Sequence, residues 1–313
     1  MYEVLAEVVR NGFAESRHYG SVAGLAPDGA LAHARGNPEE TVLPRSTTKP
    51  FQALACLRAG APLEGERLAI AAGSHTGEDF HVKTVEAILA DAGLGADALR
   101  CPASWPEDEA AKAALIRAGE GESRIRMNCS GKHAAMLAAC VANGWPVDTY
   151  LDPAHPLQRA VRQVLADAAG EEPAPVAVDG CGAPLFGLTL TGLARAARSL
   201  VLSAESRPVA DAMRAHPEYV GGTGHPNTEF MRALPGTVAK GGAEGVFIAA
   251  TAEGAAVAVK VIDGSPRATT AIALRALAAL GADTGTAGPL GAVPVLGGGR
   301  PVGEIRTTEE GRQ

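Results

Sequence analysis

The stretch RSTTKPFQAL, Arg45 to Leu54, sets a serine three residues before a lysine and a proline directly after it, where an apolar helical pattern begins. Proline is tolerated in the first helical turn, where backbone N–H groups have no intrahelical partner, although it biases the preceding residue away from helical angles. The stretch predicts a helix over about 46–58, with Ser46 at or near its N-cap and Lys49 in the first turn on the same face. The amine then comes within reach of the hydroxyl. A serine is a weak nucleophile until a base takes its proton, and lysine is a base only when burial or a neighbouring cation keeps it neutral. The positive end of a helix favours the neutral amine. Alone, Ser-x-x-Lys carries little, because serine caps and surface lysines are common.

Company changes its weight. GSHTGED (73–79), MNCSGKH (127–133), VDGCGAP (178–184), GGTGHPN (221–227) and AKGGAEG (239–245) each set polar or reactive side chains among glycines at an element boundary, where backbone can approach a ligand. Cys129 and Lys132 repeat the i, i+3 spacing, with His133 beside them, and a thiolate there could be a nucleophile or a metal ligand. No Cys-x-x-Cys or His-x-x-x-His spacing supports a conventional structural zinc site. His18 and His33 fall in strand-like segments, His75 and His133 in the glycine-rich motifs and His225 in a loop, none with an evident acidic partner in sequence. Neither a dinucleotide-binding nor a P-loop glycine pattern is present, which leaves hydrolysis or acyl transfer.

Residues 3–10 and 18–34 read as strands, the second broken at Pro27-Asp28-Gly29, and predict an N-terminal antiparallel hairpin. Helices are expected over 64–72, 78–91, 108–118, 132–143, 186–200 and 205–215, with a short strand at VAV (176–178) and a loop over 221–230. Residues 240–263 read as two apolar strands around a Glu-Gly turn, and 268–280 as a closing helix. Strands at both chain ends with helices between them predict an α+β fold: an antiparallel sheet flanked by helices. The expected organisation is one catalytic domain over 1–313, with a sheet subdomain from both ends and a helical one in the middle.

The chain has 313 residues, 46% hydrophobic and 20% charged, enough for a substantial core. Twenty-eight basic against 35 acidic residues give a net charge of −7, so no nucleic-acid footprint is visible. No signal-peptide pattern and no apolar span of membrane length appears, so a cytoplasmic protein is expected. The five cysteines are few and odd in number, which argues against a disulfide framework. Cys56 and Cys140 lie in apolar periodicity and read as core.

In order, PRSTTKPFQAL, SHTGEDFH, CPASWP, MNCSGKHAAMLAAC, DGCGAP, GGTGHPNTEFM and KGGAEGVF resemble the asparaginase II family of serine-dependent L-asparaginases, over about residues 2–275. The resemblance implies a fold similar to serine β-lactamases, penicillin-binding proteins and serine glutaminases, and hydrolysis of L-asparagine to L-aspartate and ammonia. It implies Ser46 as nucleophile, Lys49 as its base, and Ser74 with Lys240 as a second pair, Lys260 being the competitor for that second lysine. It further implies an oxyanion site at the backbone N–H groups of Ser46 and Ala243, substrate contacts from Arg45, His75, Asp179 and Gly242, and zinc held by Cys129, Lys132 and Cys181. A homodimer acting on a small molecule, with neither nucleic acid nor membrane as partner, completes the expectation. The competing readings are a glutaminase or β-lactam-recognising hydrolase, and a non-catalytic amino-acid or zinc sensor.

Overall fold

A computed structural model describes residues 1–308. Its first hairpin turns at Asn11-Gly12, both with positive φ (47° and 81°), the pair best suited to a two-residue hairpin turn. This joins strand Glu3–Arg10 to strand Phe13–Leu25, so the second strand begins earlier than expected and ends at the turn that precedes Leu31–Arg35. The main sheet is antiparallel throughout, in the order Val293–Gly297, Arg300–Thr307, Glu3–Arg10, Phe13–Leu25, Ala256–Val261, Val246–Ala250, Val238–Gly242, with Leu31–Arg35 also pairing with Phe13–Leu25.

The α+β fold, an antiparallel sheet flanked by helices, is therefore as the sequence reading has it. Strands Val246–Ala250 and Ala256–Val261 are buried along almost their whole length, which requires cover on both faces. Helices Leu190–Leu202 and Thr269–Ala279 both pack on them. Within the helical part, Lys49–Arg58 packs against Ser130–Asn143, Pro156–Ala169 and Gly65–Ala71. Among the described residues, no helix is long and apolar enough to cross a membrane.

The structure departs from expectation at four places. Pro156–Ala169 is a helix that no sequence expectation covers, and Pro226–Ala233 is a helix where the sequence predicts a loop. Both open with proline after a histidine cap whose Nδ1 accepts a backbone N–H, a signal hidden because histidine is not a usual cap. The helix at 269–279 does not close the fold: Val293–Gly297 and Arg300–Thr307 follow and extend the sheet beside Glu3–Arg10. Their proline and glycine content disguises them, and of the two only Val293–Gly297 lies at the sheet edge. The segment 240–263 holds parts of three strands, not two, since turns fall at both of its Glu-Gly pairs. The expected domain over 1–313 includes 309–313, which lie outside the described residues.

Candidate active site

The chain enters helix Lys49–Arg58 through a 3-10 turn, Arg45–Thr48, so Ser46 lies in that turn and Thr48, not Ser46, is the N-cap. Arg45 has φ +51°, a left-handed conformation that costs a non-glycine residue of order 1–3 kcal/mol and is found mostly at functional turns. Thr47 and Thr48 hydroxyls anchor the turn by donating to Pro44 O and Arg45 O at 2.7 and 3.0 Å. Ser46 is half-buried. Lys49 is 1% exposed, and its Nζ donates not to Ser46 but to Ser74 Oγ at 2.8 Å and to Asn128 O at 3.3 Å.

Ser74 lies in the loop before helix Asp79–Asp91 and is met from the other side by Lys240 Nζ, also at 2.8 Å. Lys240 stands in strand Val238–Gly242 and also donates to Gly241 O at 2.6 Å. Burial, reinforced by the Lys49 charge, holds the Lys240 amine well below the usual lysine range. Lys260, the competitor, lies elsewhere and donates to Glu244 O. The strand is pinned beside Lys240 by Asn227, whose Oδ1 accepts the Gly241 N–H at 2.8 Å. Asn227 sits within the quoted GGTGHPN motif but had no assigned role. His225, in the same motif, is pushed down to about 4 by burial and the Lys240 charge.

Gly242 runs close past the 3-10 turn: a Cβ there would stand 3.0 Å from Pro44 O and 3.2 Å from Ser46 N. Among the described residues, neither the Ser46 nor the Ala243 backbone N–H donates to another group. Arg45 crosses the same region, with Nε donating to Asp179 Oδ1 at 2.8 Å and Nη1 3.6 Å from Glu244. Burial would raise the Asp179 carboxyl, but the Arg45 hydrogen bond, the Lys132 charge and the Gly180 N–H outweigh it and hold it below the usual range. His75, expected at the substrate, is fully buried, with Nδ1 accepting from Gly77 N–H at 3.2 Å and Nε2 2.9 Å from Ser130 Oγ. Both ring nitrogens are occupied, so His75 braces the segment behind Ser74.

Cys129, Lys132 and Cys181 are all buried and come together at the start of helix Ser130–Asn143. Lys132 Nζ donates to Cys181 Sγ at 2.9 Å, and the Cys181 thiol lies 3.7 Å from Asp179 Oδ2. A shared hydrogen bond pushes Cys129 well below the usual thiol range and Cys181 above it. Burial alone would lower Lys132, but the two sulfurs outweigh it and raise it. Among the described residues no three His, Cys, Asp or Glu side chains are grouped to hold a metal, so any site here must count Lys132 as a donor. Two buried thiols and an amine form a soft donor set suited to zinc, provided that the amine gives up its proton. The residues fit the metal on that condition.

Asn128 links the two clusters. Its carbonyl accepts from Lys49 Nζ and from His75 N–H at 3.1 Å, its Oδ1 accepts from the Cys129 thiol at 3.0 Å, and its Nδ2 donates to Glu107 at 2.6 Å. Asn128 lies within a quoted motif, whereas Glu107 follows CPASWP with no pattern to mark it. The sequence reading gave neither a role.

Residues 6–307 match the family model of L-asparaginase II. No curated protein matches the chain. Among solved structures, a β-lactamase (Mb2281c) from Mycobacterium bovis is 18% identical, with 83% of this chain and 94% of that chain covered and a TM-score of 0.46. Mglu in its native form is 14% identical, covering 83% of this chain and 62% of its own, with a TM-score of 0.44. Mglu in 4.3 M NaCl is 15% identical, covering 84% and 60%, with a TM-score of 0.46. The chain thus spans about three-fifths of the Mglu length, and likenesses of this size carry no argument. The family match is different, because it runs over nearly the whole chain: the protein belongs to the L-asparaginase II family.

Proposed function

We propose that the protein hydrolyses L-asparagine to L-aspartate and ammonia through an acyl-enzyme on Ser46. The observation that carries this reading is the chain Lys49–Ser74–Lys240, closed at 2.8 Å on each side of one hydroxyl, beside a turn whose Ser46 N–H is free. The substrate amide carbon lies over Ser46, with its oxygen toward the N–H groups of Ser46 and Ala243. As Ser46 Oγ bonds to that carbon, its proton passes to Lys49, which hands one on through Ser74 to the neutral Lys240 amine. The relay then runs backward: a proton reaches the amide nitrogen, the C–N bond breaks and ammonia leaves. Water attacks the ester carbon, loses a proton to the same relay, and aspartate leaves as Ser46 regains its hydrogen.

Cys129, Lys132 and Cys181 would hold zinc, which when bound supplies a fixed positive charge at one wall of the pocket. The chain already provides nucleophile and base, so zinc is assigned no step. Arg45 and Gly242 border the substrate, with Asp179 orienting Arg45. A cytoplasmic homodimer remains the expected setting.

A second reading is favoured by one observation: both lysines hydrogen-bond Ser74 and neither bonds Ser46. Ser74 would then be the nucleophile. Rapid acid quench with asparagine, followed by peptide mass spectrometry, distinguishes them: an acyl group on the peptide containing Ser46 supports the first reading, and one on Ser74 the second. Rates on asparagine, glutamine and a chromogenic β-lactam fix the substrate class, and no turnover of any would favour a sensor.

A further inference from the structure

The cleft holds two cations: Lys49 meets the neutral Lys240 amine at Ser74, and Arg45 directly precedes Ser46. An α-amino acid substrate brings an ammonium group into this surrounding, and a cation there needs a carboxylate partner. Most nearby carboxylates are engaged. Asp179 accepts from Arg45 at 2.8 Å, Glu244 faces the same guanidinium at 3.6 Å, and Glu78 takes the Thr223 N–H and the Thr223 and Thr76 hydroxyls at 3.0, 2.7 and 2.8 Å.

Glu107 is different. Its carboxylate is exposed, is held through Oε1 by the Asn128 amide at 2.6 Å, and among the described residues has no ion-pair partner. Its place is fixed from two directions. The next residue, Asp108, donates its N–H to Thr76 O at 3.0 Å, two residues past Ser74. Asn128, which holds the carboxylate, takes Lys49 Nζ on its own carbonyl. Glu107 therefore stands at the open side of the Lys49–Ser74 contact, and its charge is felt at Lys240.

Resting on the asparaginase reading, we infer that Glu107, oriented by Asn128, binds the α-ammonium of the substrate and makes the site selective for α-amino acid amides over amides that lack the amino group. The carboxylate keeps one oxygen on Asn128 and offers the other to the ammonium. This gives Glu107 a role in recognition and none in proton transfer. The ammonium is three bonds from the amide carbon, so the contact also fixes which face of that carbon meets Ser46.

The test compares kcat/KM for L-asparagine and for succinamic acid, the same molecule without its amino group, in the wild-type chain and in Glu107→Gln. The preference for asparagine should fall ~10–100-fold in the variant, chiefly through KM for asparagine, as expected for losing a charge-assisted contact. Glu107→Asp should recover part of it. Calorimetric binding of L-aspartate against succinate gives the same ratio without turnover, so a wild-type chain that fails to hydrolyse asparagine would defeat the asparaginase reading while this arm still decides the role of Glu107. An unchanged ratio in both arms, or equal losses on both ligands, would overturn the inference.

Discussion

Lys49 and Lys240 reach the same oxygen: each Nζ stands 2.8 Å from Ser74 Oγ, and each side chain is 1% exposed. Two ammonium groups so close and so far from water repel strongly, and the neutral form of one relieves the repulsion. Lys240 is the one whose proton is held loosely.

The first prediction is an activity that rises with pH through the lowered Lys240 titration, well below the ~10.4 of a free lysine. Lys240→Arg, which cannot become neutral, should cost ~10²–10⁴-fold in kcat and remove that limb from the pH–rate profile. Stability carries the same sign. Below the free-lysine value the unfolded chain holds a proton that folded Lys240 lacks, so the contribution of Lys240 improves as pH rises from its folded to its unfolded value and is constant outside that window. Lys240→Met should flatten this slope in denaturant titrations at several pH values.

Ser46→Ala and Lys49→Ala should each lower kcat ~10³-fold or more, with the double variant little worse, because members of one proton-transfer unit do not contribute additively. Near-normal turnover by Ser46→Ala with loss in Ser74→Ala would transfer the nucleophile to Ser74. Circular dichroism on each variant separates chemistry from folding.

Gly242→Ala puts a methyl group 3.0 Å from Pro44 O and 3.2 Å from Ser46 N, both backbone atoms that cannot swing aside. The strand must move away from the Ser46 turn. A fall in kcat of ~10-fold or more with KM little changed is expected, since oxyanion donors act mainly in the transition state. Unchanged kcat would argue that the Ser46 N–H is not used.

Metal analysis of protein purified without chelators should find about one zinc per chain, and Cys181→Ser should lose it. Loss of metal is expected to raise KM more than it lowers kcat. Abolished turnover at saturating asparagine, in a folded variant, would make the metal a direct participant.

Glu78 caps helix Asp79–Asp91 and accepts from the Thr223 N–H and hydroxyl. Burial would raise its carboxyl, but the Thr223 and Thr76 hydrogen bonds outweigh it and lower it. Its stabilising effect is therefore complete above the unfolded value of ~4.3 and is lost as pH falls through the lower folded value. Glu78→Gln should destabilise the protein by about 1–2 kcal/mol at neutral pH, and the difference from wild type should shrink at acid pH in urea melts.

Short-range patterns carried much of this into the sequence. Alternation and apolar periodicity marked strand Glu3–Arg10 and helices such as Asp79–Asp91, because burying one face is a demand that each segment meets with its own residues. The order of the glycine-rich motifs named the family, and the Ser-x-x-Lys spacing drew attention to Ser46 and Lys49. What local pattern could not supply was pairing across the chain. Nothing in Arg300–Thr307 announces a place beside Glu3–Arg10, nor in Val293–Gly297 a place at the sheet edge beside Arg300–Thr307, since strands interrupted by proline and glycine gain their hydrogen bonds only once a neighbouring strand is there to receive them. Nor does the spacing of Ser46 and Lys49 reveal that Lys49 turns instead to Ser74, 25 residues away. The choice of Lys240 over Lys260 was likewise tertiary, because both lie on strands of one sheet and differ in what stands opposite: Ser74 and a second lysine for one, the Glu244 carbonyl for the other. The sequence alone determined which residues had the chemistry, through side-chain type and local spacing. Only the tertiary structure decided which of them share a proton, because hydrogen bonds and desolvation act over a few ångströms of space and take no account of separation along the chain.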